Sequence, residues 1–163
     1  MKKLILLICF GVICSIAACP PIDNIHKEKY IHEGKKHLFI LWVQEEPFSP
    51  ELLREAIFYE NIESPEIVFI QARLETGQFT SDIFINGNNI FGMRLARVRE
   101  TTATGEYRYH ARYDNWYDSV RDYRLFQIWY ASKSYDLTNY TLFLRDMGYA
   151  TDKRYVDKIN EMS

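Results

Sequence analysis

Ser64-Pro65-Glu66-Ile67-Val68-Phe69-Ile70-Gln71-Ala72-Arg73-Leu74-Glu75-Thr76-Gly77 reads as one buried helix that ends on a carboxylate. The serine, the proline at the first helical position and the acid in the first turn form a start signal, because they cap or complement N–H groups that lack an intrahelical partner. Ile67, Val68, Ile70, Ala72 and Leu74 then set apolar side chains on most sides, and Gly77 is the expected stop. Glu75 therefore stands at the negative end of the helix dipole in an apolar neighbourhood. Both disfavour the charged form, so its pKa is expected to rise and its proton to be held near neutral pH, as a general acid requires. Read alone, the same glutamate is more simply a solvated helix end.

Working outward, Ser49-Pro50-Glu51 repeats the start signal, and Leu52, Leu53, Ala56 and Ile57 share a face behind it. Leu38 to Val43 is a short apolar run, a strand or the first turn of a buried helix, which periodicity does not separate at this length. Downstream, Asn86-Gly87-Asn88-Asn89 is a turn-forming cluster. The Thr-, Tyr-, Val- and Arg-rich stretch from Met93 to Tyr113 predicts a hairpin turning at Thr104-Gly105. A helical period returns at Asn115, with Trp116, Val120 and Tyr123 on one face and Leu125 and Trp129 four apart. Another helix ends near Met147-Gly148, and Thr151 is expected to cap a last one whose inner side carries Tyr155 and Ile159. The fold class is α+β, mostly α, with helices on either side of a small β-hairpin lobe. No repeat or low-complexity tract interrupts it.

At the N-terminus, Lys2 and Lys3 precede the uncharged, largely apolar run Leu4 to Ala18. This is too short for a membrane span, which needs roughly 20 apolar residues, and predicts a secretory signal over residues 1–18. Ile16-Ala17-Ala18-Cys19 is similar to the lipobox of bacterial lipoproteins, so Cys19 is expected to be lipidated and to become the first residue of an exported, membrane-anchored chain facing the periplasm or cell wall. Cys9 and Cys14 leave with the signal, so no intrachain disulfide is expected and the domain relies on core packing. Residues 19–37, polar and Lys-rich, read as a tether, and 38–163 as one domain. Taking Lys2 and Lys3 from the 20 Lys+Arg leaves 18 against 22 acidic residues, a mature net charge of −4. A nucleic-acid partner is correspondingly disfavoured. Aromatic residues make up 15% of the chain, twelve of them Tyr, which suits either a sugar-binding cleft or a dense core.

The run Gln71-Ala72-Arg73-Leu74-Glu75-Thr76-Gly77, followed by Asn89-Ile90-Phe91-Gly92-Met93, resembles the glucosaminidase family of peptidoglycan hydrolases, which includes flagellar rod hydrolases and autolysins. Two later stretches match in order: Arg112-Tyr113 to Tyr123, and Gly148-Tyr149-Ala150-Thr151-Asp152 to Tyr155. The resemblance runs from about Pro50 to the C-terminus. It implies a lysozyme-like helical domain with a small β-lobe, cleavage of the β-1,4 bond after N-acetylglucosamine in peptidoglycan glycan strands, and Glu75 as the essential acid. The chain departs at Gln78-Phe79, where family members commonly have Trp-Gly; Phe79 is expected to supply the missing aromatic wall.

Glycoside hydrolysis usually needs a second carboxylate. The resemblance places it on the first strand of the β-lobe near a Thr-rich run, here Arg99-Glu100-Thr101-Thr102, which favours Glu100 over Glu106 on the expected return strand. The alternative is that both are solvated and that Glu75 works with the substrate's own acetamido group. Tyr149 aligns with a tyrosine near the family's cleft, where it positions water or sugar or simply packs behind the Gly148 turn. Asn89 either closes the loop after Glu75 or touches a sugar acetamido group, and Phe91 is a core residue sooner than a ligand contact. No cofactor is expected. Zinc chemistry lacks a His-Glu-x-x-His or cysteine pair, and no Gly-x-Ser-x-Gly nucleophile occurs. The competing reading is a non-catalytic glycan-binding envelope lipoprotein.

Overall fold

Proline-led starts and glycine-led stops set the frame of this chain. The computed structural model describes Gly34 and residues 37–40, 42–149 and 154–162. Two units are separable, Met1–Lys35 and Lys36–Ser163. The first lies outside the described residues apart from Gly34, as do the expected signal, Cys19 and most of the tether.

The elements of the second unit are α1 (Pro50–Tyr59), α2 (Pro65–Glu75), α3 (Asp82–Gly87), β1 (Gly105–Tyr107), β2 (His110–Arg112), α4 (Trp116–Ala131), α5 (Tyr140–Asp146) and α6 (Tyr155–Glu161). Ahead of them, residues 37–40 are helical, which resolves the Leu38–Val43 run, with Phe39 and Val43 buried. Among the described residues the architecture is mostly helical with one two-stranded antiparallel sheet.

Ser49 caps α1 by accepting the Leu52 N–H at 3.2 Å. Ser64 does not cap α2. It sits in the left-handed region at φ 55° and makes no side-chain cap bond, so proline and Glu66 carry the start alone. α2 ends as expected, with Gly77 at φ +54°. α3, which the turn-rich reading of residues 86–89 does not anticipate, starts at Ser81, whose hydroxyl accepts the Phe84 N–H at 3.3 Å. Asn115 accepts the Asp118 N–H at 2.9 Å and caps α4. The Thr151 position expected to cap α6 lies outside the described residues; Tyr155 and Ile159 of α6 are buried as expected.

The hairpin is shorter than predicted and turns elsewhere. Gly105 pairs with Arg112, Glu106 with Ala111 and Tyr107 with His110, so the turn is Arg108-Tyr109 and not Thr104-Gly105. Residues 94–104 form an irregular segment whose own side chains tie it to α4. Arg99 donates to both carboxylate oxygens of Asp122 on α4, at 2.7 and 3.2 Å, and to the Glu100 carbonyl at 2.6 Å. Thr102 donates to the Asp118 carbonyl at 2.6 Å. Asp122 is wholly buried and also accepts the Tyr113 hydroxyl at 2.8 Å. A buried carboxylate satisfied by one guanidinium and one phenol fixes the segment to α4.

α1 and α2 pack together, α1 also against α4, and α2 against α6. Leu53, Val68, Ala72, Ile90, Phe91, Val120 and Tyr123 lie in the common core. Inside it, Tyr123 donates its hydroxyl to Gln71 at 2.5 Å, Gln127 donates to the Tyr140 hydroxyl at 2.9 Å, and the Tyr123 and Tyr140 hydroxyls are 2.6 Å apart. These bonds pin α2, α4 and α5 to one register, since the polar groups of a buried network are costly to leave unpaired.

Candidate active site

Glu75 closes α2, and the chain turns away from it through an unusual run. Gly77, Gln78 and Phe79 all hold positive φ, at 54°, 59° and 65°. Thr76 supports this turn by donating to the Ala72 carbonyl at 2.7 Å and accepting the Phe79 N–H at 2.9 Å. The left-handed conformation of Phe79 gives the departure from Trp-Gly a physical meaning. Glycine adopts this backbone freely, whereas phenylalanine does so at a cost of roughly 1–2 kcal/mol. The Phe79 ring offsets that cost by packing with Phe48 at 4.9 Å and with Phe84 and Phe69 at 6.2 and 6.3 Å between centroids. It joins an aromatic cluster at the edge of the core.

A second loop passes against the carboxylate. Gly92 has φ +64°, and a Cβ built there would meet Glu75 Oε2 at 2.9 Å, so the acid lies directly on the Gly92 backbone. Three anchors hold that loop. Asn89 donates to the Met93 and Ala111 carbonyls at 2.8 and 2.7 Å, and its own side-chain oxygen accepts the Met93 N–H at 3.1 Å. Ser119 on α4 accepts the Ile90 N–H at 3.0 Å. Tyr149 donates to the Phe91 carbonyl at 2.7 Å. Asn89 is 1% exposed with both amide hydrogens engaged, which leaves none for a sugar; of its two readings the geometry is that of loop closure. Phe91 is wholly buried against Tyr123, with ring centroids 4.2 Å apart, and is core.

On its other oxygen Glu75 accepts the Tyr155 hydroxyl at 2.7 Å. The Tyr155 and Tyr149 rings stack at 6.1 Å with 23° between planes, so the two tyrosines form one wall. Burial raises the Glu75 pKa; the Tyr155 hydrogen bond and the charge of His110 oppose this without cancelling it. The direction is the one expected from position, but its main cause is desolvation. The phenols of Tyr155 and Tyr149 are themselves pushed far up by burial and by the nearby Glu75 charge, so both remain protonated donors.

Sequence reasoning does not single out Tyr155 as a site residue. The available signal is its place in the Gly148-to-Tyr155 signature, eighty positions from Glu75 and joined to it only by the packing of α6 on α2. Gly92 stands within the Asn89-to-Met93 motif, but nothing local marks it as the seat of the acid.

The expected second carboxylates separate. Glu100 is exposed on the irregular segment, so the premise that it lies on the first strand of the lobe does not hold. Glu106 lies on that first strand, not on the return strand. It borders a groove of about 580 Å³ that also includes Arg94, Arg97, Arg108, Tyr109 and His110. A second groove, of about 570 Å³, is bordered by Gly92, Phe126, Trp129, Tyr130 and Tyr149. Glu75 itself lines neither. It touches Gly92 at the border of the second groove and feels His110 at the border of the first. Among the described residues no three His, Cys, Asp or Glu side chains are placed to hold a metal ion.

A carboxyl whose pKa is raised by burial, held by a phenol and seated on a glycine backbone, is an arrangement able to protonate a leaving oxygen of a bound substrate. A family model described as glucosaminidase, mannosyl-glycoprotein endo-beta-N-acetylglucosaminidase, matches residues 53–163. No curated protein and no solved structure matches the chain.

Proposed function

The chain belongs to the glucosaminidase family of glycoside hydrolases, and from that premise we propose that it cuts the β-1,4 glycan backbone of peptidoglycan after N-acetylglucosamine, with Glu75 as general acid. The observation that carries this is the Glu75 carboxylate, desolvated yet hydrogen-bonded by Tyr155, inside the matched region. Burial raises its pKa, which favours holding the proton that the departing sugar oxygen needs. Tyr155 and Tyr149 are positioning residues in this reading: one fixes the carboxyl directly, the other fixes the Phe91–Gly92 backbone on which it rests. Glu106 is the better second carboxylate, because it lies on the first strand of the lobe, where the resemblance puts that acid, and borders a groove. Participation of the substrate's acetamido group is the alternative. Cys19 is read as the lipid attachment point that holds the enzyme at the envelope.

The test is the chemistry of the products. Purified sacculi treated with the enzyme are expected to yield fragments whose new reducing end, after borohydride reduction and mass spectrometry, is N-acetylglucosamine. Reducing ends of N-acetylmuramic acid, or no soluble fragments, would reject the reading.

Tyr155→Phe adds a check on the acid itself. Its hydrogen bond lowers the Glu75 pKa, so removing it should raise that pKa further and move the alkaline limb of the kcat profile to higher pH. Loss of positioning should cost roughly tenfold in kcat. A limb that stays in place or moves to lower pH would separate Tyr155 from the acid.

A further inference from the structure

We propose that the groove beside the hairpin is an anion subsite that takes the peptide carboxylates borne by the substrate strand. This rests on the peptidoglycan reading above and names what part of that substrate the groove recognises. The groove carries Arg94, Arg97 and Arg108 against one carboxylate, Glu106. That sign is not inherited from composition, since the whole chain has 22 acidic residues against 20 basic ones. Arg108 is engaged by Asp82 at 2.9 Å. Arg94 and Arg97 are exposed, and among the described residues neither has an ion-pair or hydrogen-bond partner. Two unpaired guanidinium groups in one concave site offer planar forks of N–H donors that match carboxylates in pairs.

The hairpin tip supplies a second, independent observation. Arg108 and Tyr109 both hold left-handed conformations, at φ 48° and 65°, in a two-residue turn where Asn-Gly would sit without strain. Tyr109 is nonetheless 89% exposed, so no packing against the core repays that conformation. Strain kept on an exposed tip that borders a groove is characteristic of a surface that meets a ligand. Tyr109 presents a flat face with a polar edge for the sugar that bears the peptide, and the arginines lie beside it for the peptide's carboxylates.

The experiment compares the full chain with the double variant Arg94→Gln/Arg97→Gln on two substrates, intact sacculi and sacculi whose peptide carboxylates are capped as neutral amides by carbodiimide coupling to ammonia, which leaves the cross-linked sacculus insoluble. Wild type should show a kcat/KM about tenfold higher on intact sacculi, and the variant should lose that preference while cutting the capped sacculi at the wild-type rate. Equal losses on both substrates, or a preference unchanged in the variant, would overturn the subsite. If wild type cuts neither substrate, the hydrolase reading fails, and cosedimentation then decides the subsite alone. Salt-sensitive binding to intact but not capped sacculi, lost in the variant, supports it; indifferent binding overturns it.

Discussion

Glu75→Gln is expected to lower reducing-end release from sacculi by about 10²- to 10⁴-fold, the range that positioned proton transfer contributes, while leaving the protein folded. The amide is nearly isosteric and its oxygen still accepts the Tyr155 hydroxyl, so the loop contacts around it persist. Only the transferable proton goes. The same substitution should raise stability at neutral pH, and the sign comes from linkage. Burial raises the Glu75 pKa in the folded chain, so the folded state binds the proton more tightly than the unfolded one. Stability attributable to this group is therefore full below the ordinary carboxylate value of 4.5 and is lost as pH rises through the folded pKa. Glutamine removes that loss. Urea denaturation at pH 7 should place the variant above wild type, with the gap closing near pH 3. A variant that keeps wild-type turnover would remove Glu75 from the chemistry. A variant less stable than wild type at pH 7 would mean that the carboxylate is not desolvated as described.

Much of this frame was legible in the residues, and the places where it was not share a cause. Helices with a proline near the start and a glycine near the stop were readable, because those residues act on backbone within one turn. α2 and the position of Glu75 at its end derive from that. The hairpin was misplaced because Thr104-Gly105 carries the ordinary turn signal, while the real turn uses Arg108-Tyr109, two residues that bear a conformational cost there. The length of the β-lobe was overestimated because Arg99 and Thr102 bond to α4, a tertiary choice that β-propensity in residues 93–113 does not encode. The strand position expected for Glu100 fell with it. The partner of Glu75 was hidden for the same reason. Only the packing of α6 on α2 brings Tyr155 to the carboxylate, and no local pattern reports a contact across eighty residues.

Gly92→Ala tests whether the acid's exact seat matters, and it should cost activity out of proportion to stability. At φ +64° an alanine is strained by about 1 kcal/mol, which lowers the unfolding free energy by a similar amount. The new methyl would also stand 2.9 Å from Glu75 Oε2, closer than carbon and oxygen tolerate. The loop has little room to give, since Asn89, Ser119 and Tyr149 hold it from three sides. The carboxyl must therefore rotate away from its place and loosen its bond to Tyr155. A displacement of about 1 Å at a proton donor is worth up to roughly 10²-fold in kcat. Gly77→Ala is the control. It carries comparable backbone strain at φ +54°, yet its nearest contact is 3.8 Å away, to the Thr80 hydroxyl, and none is to Glu75. It should lose similar stability and keep most of its turnover. If both variants lose activity equally, backbone strain explains the loss and the Gly92 contact does not seat the acid; if Gly92→Ala alone loses kcat, the glycine of Asn89-Ile90-Phe91-Gly92 is there to make room for the catalytic carboxyl.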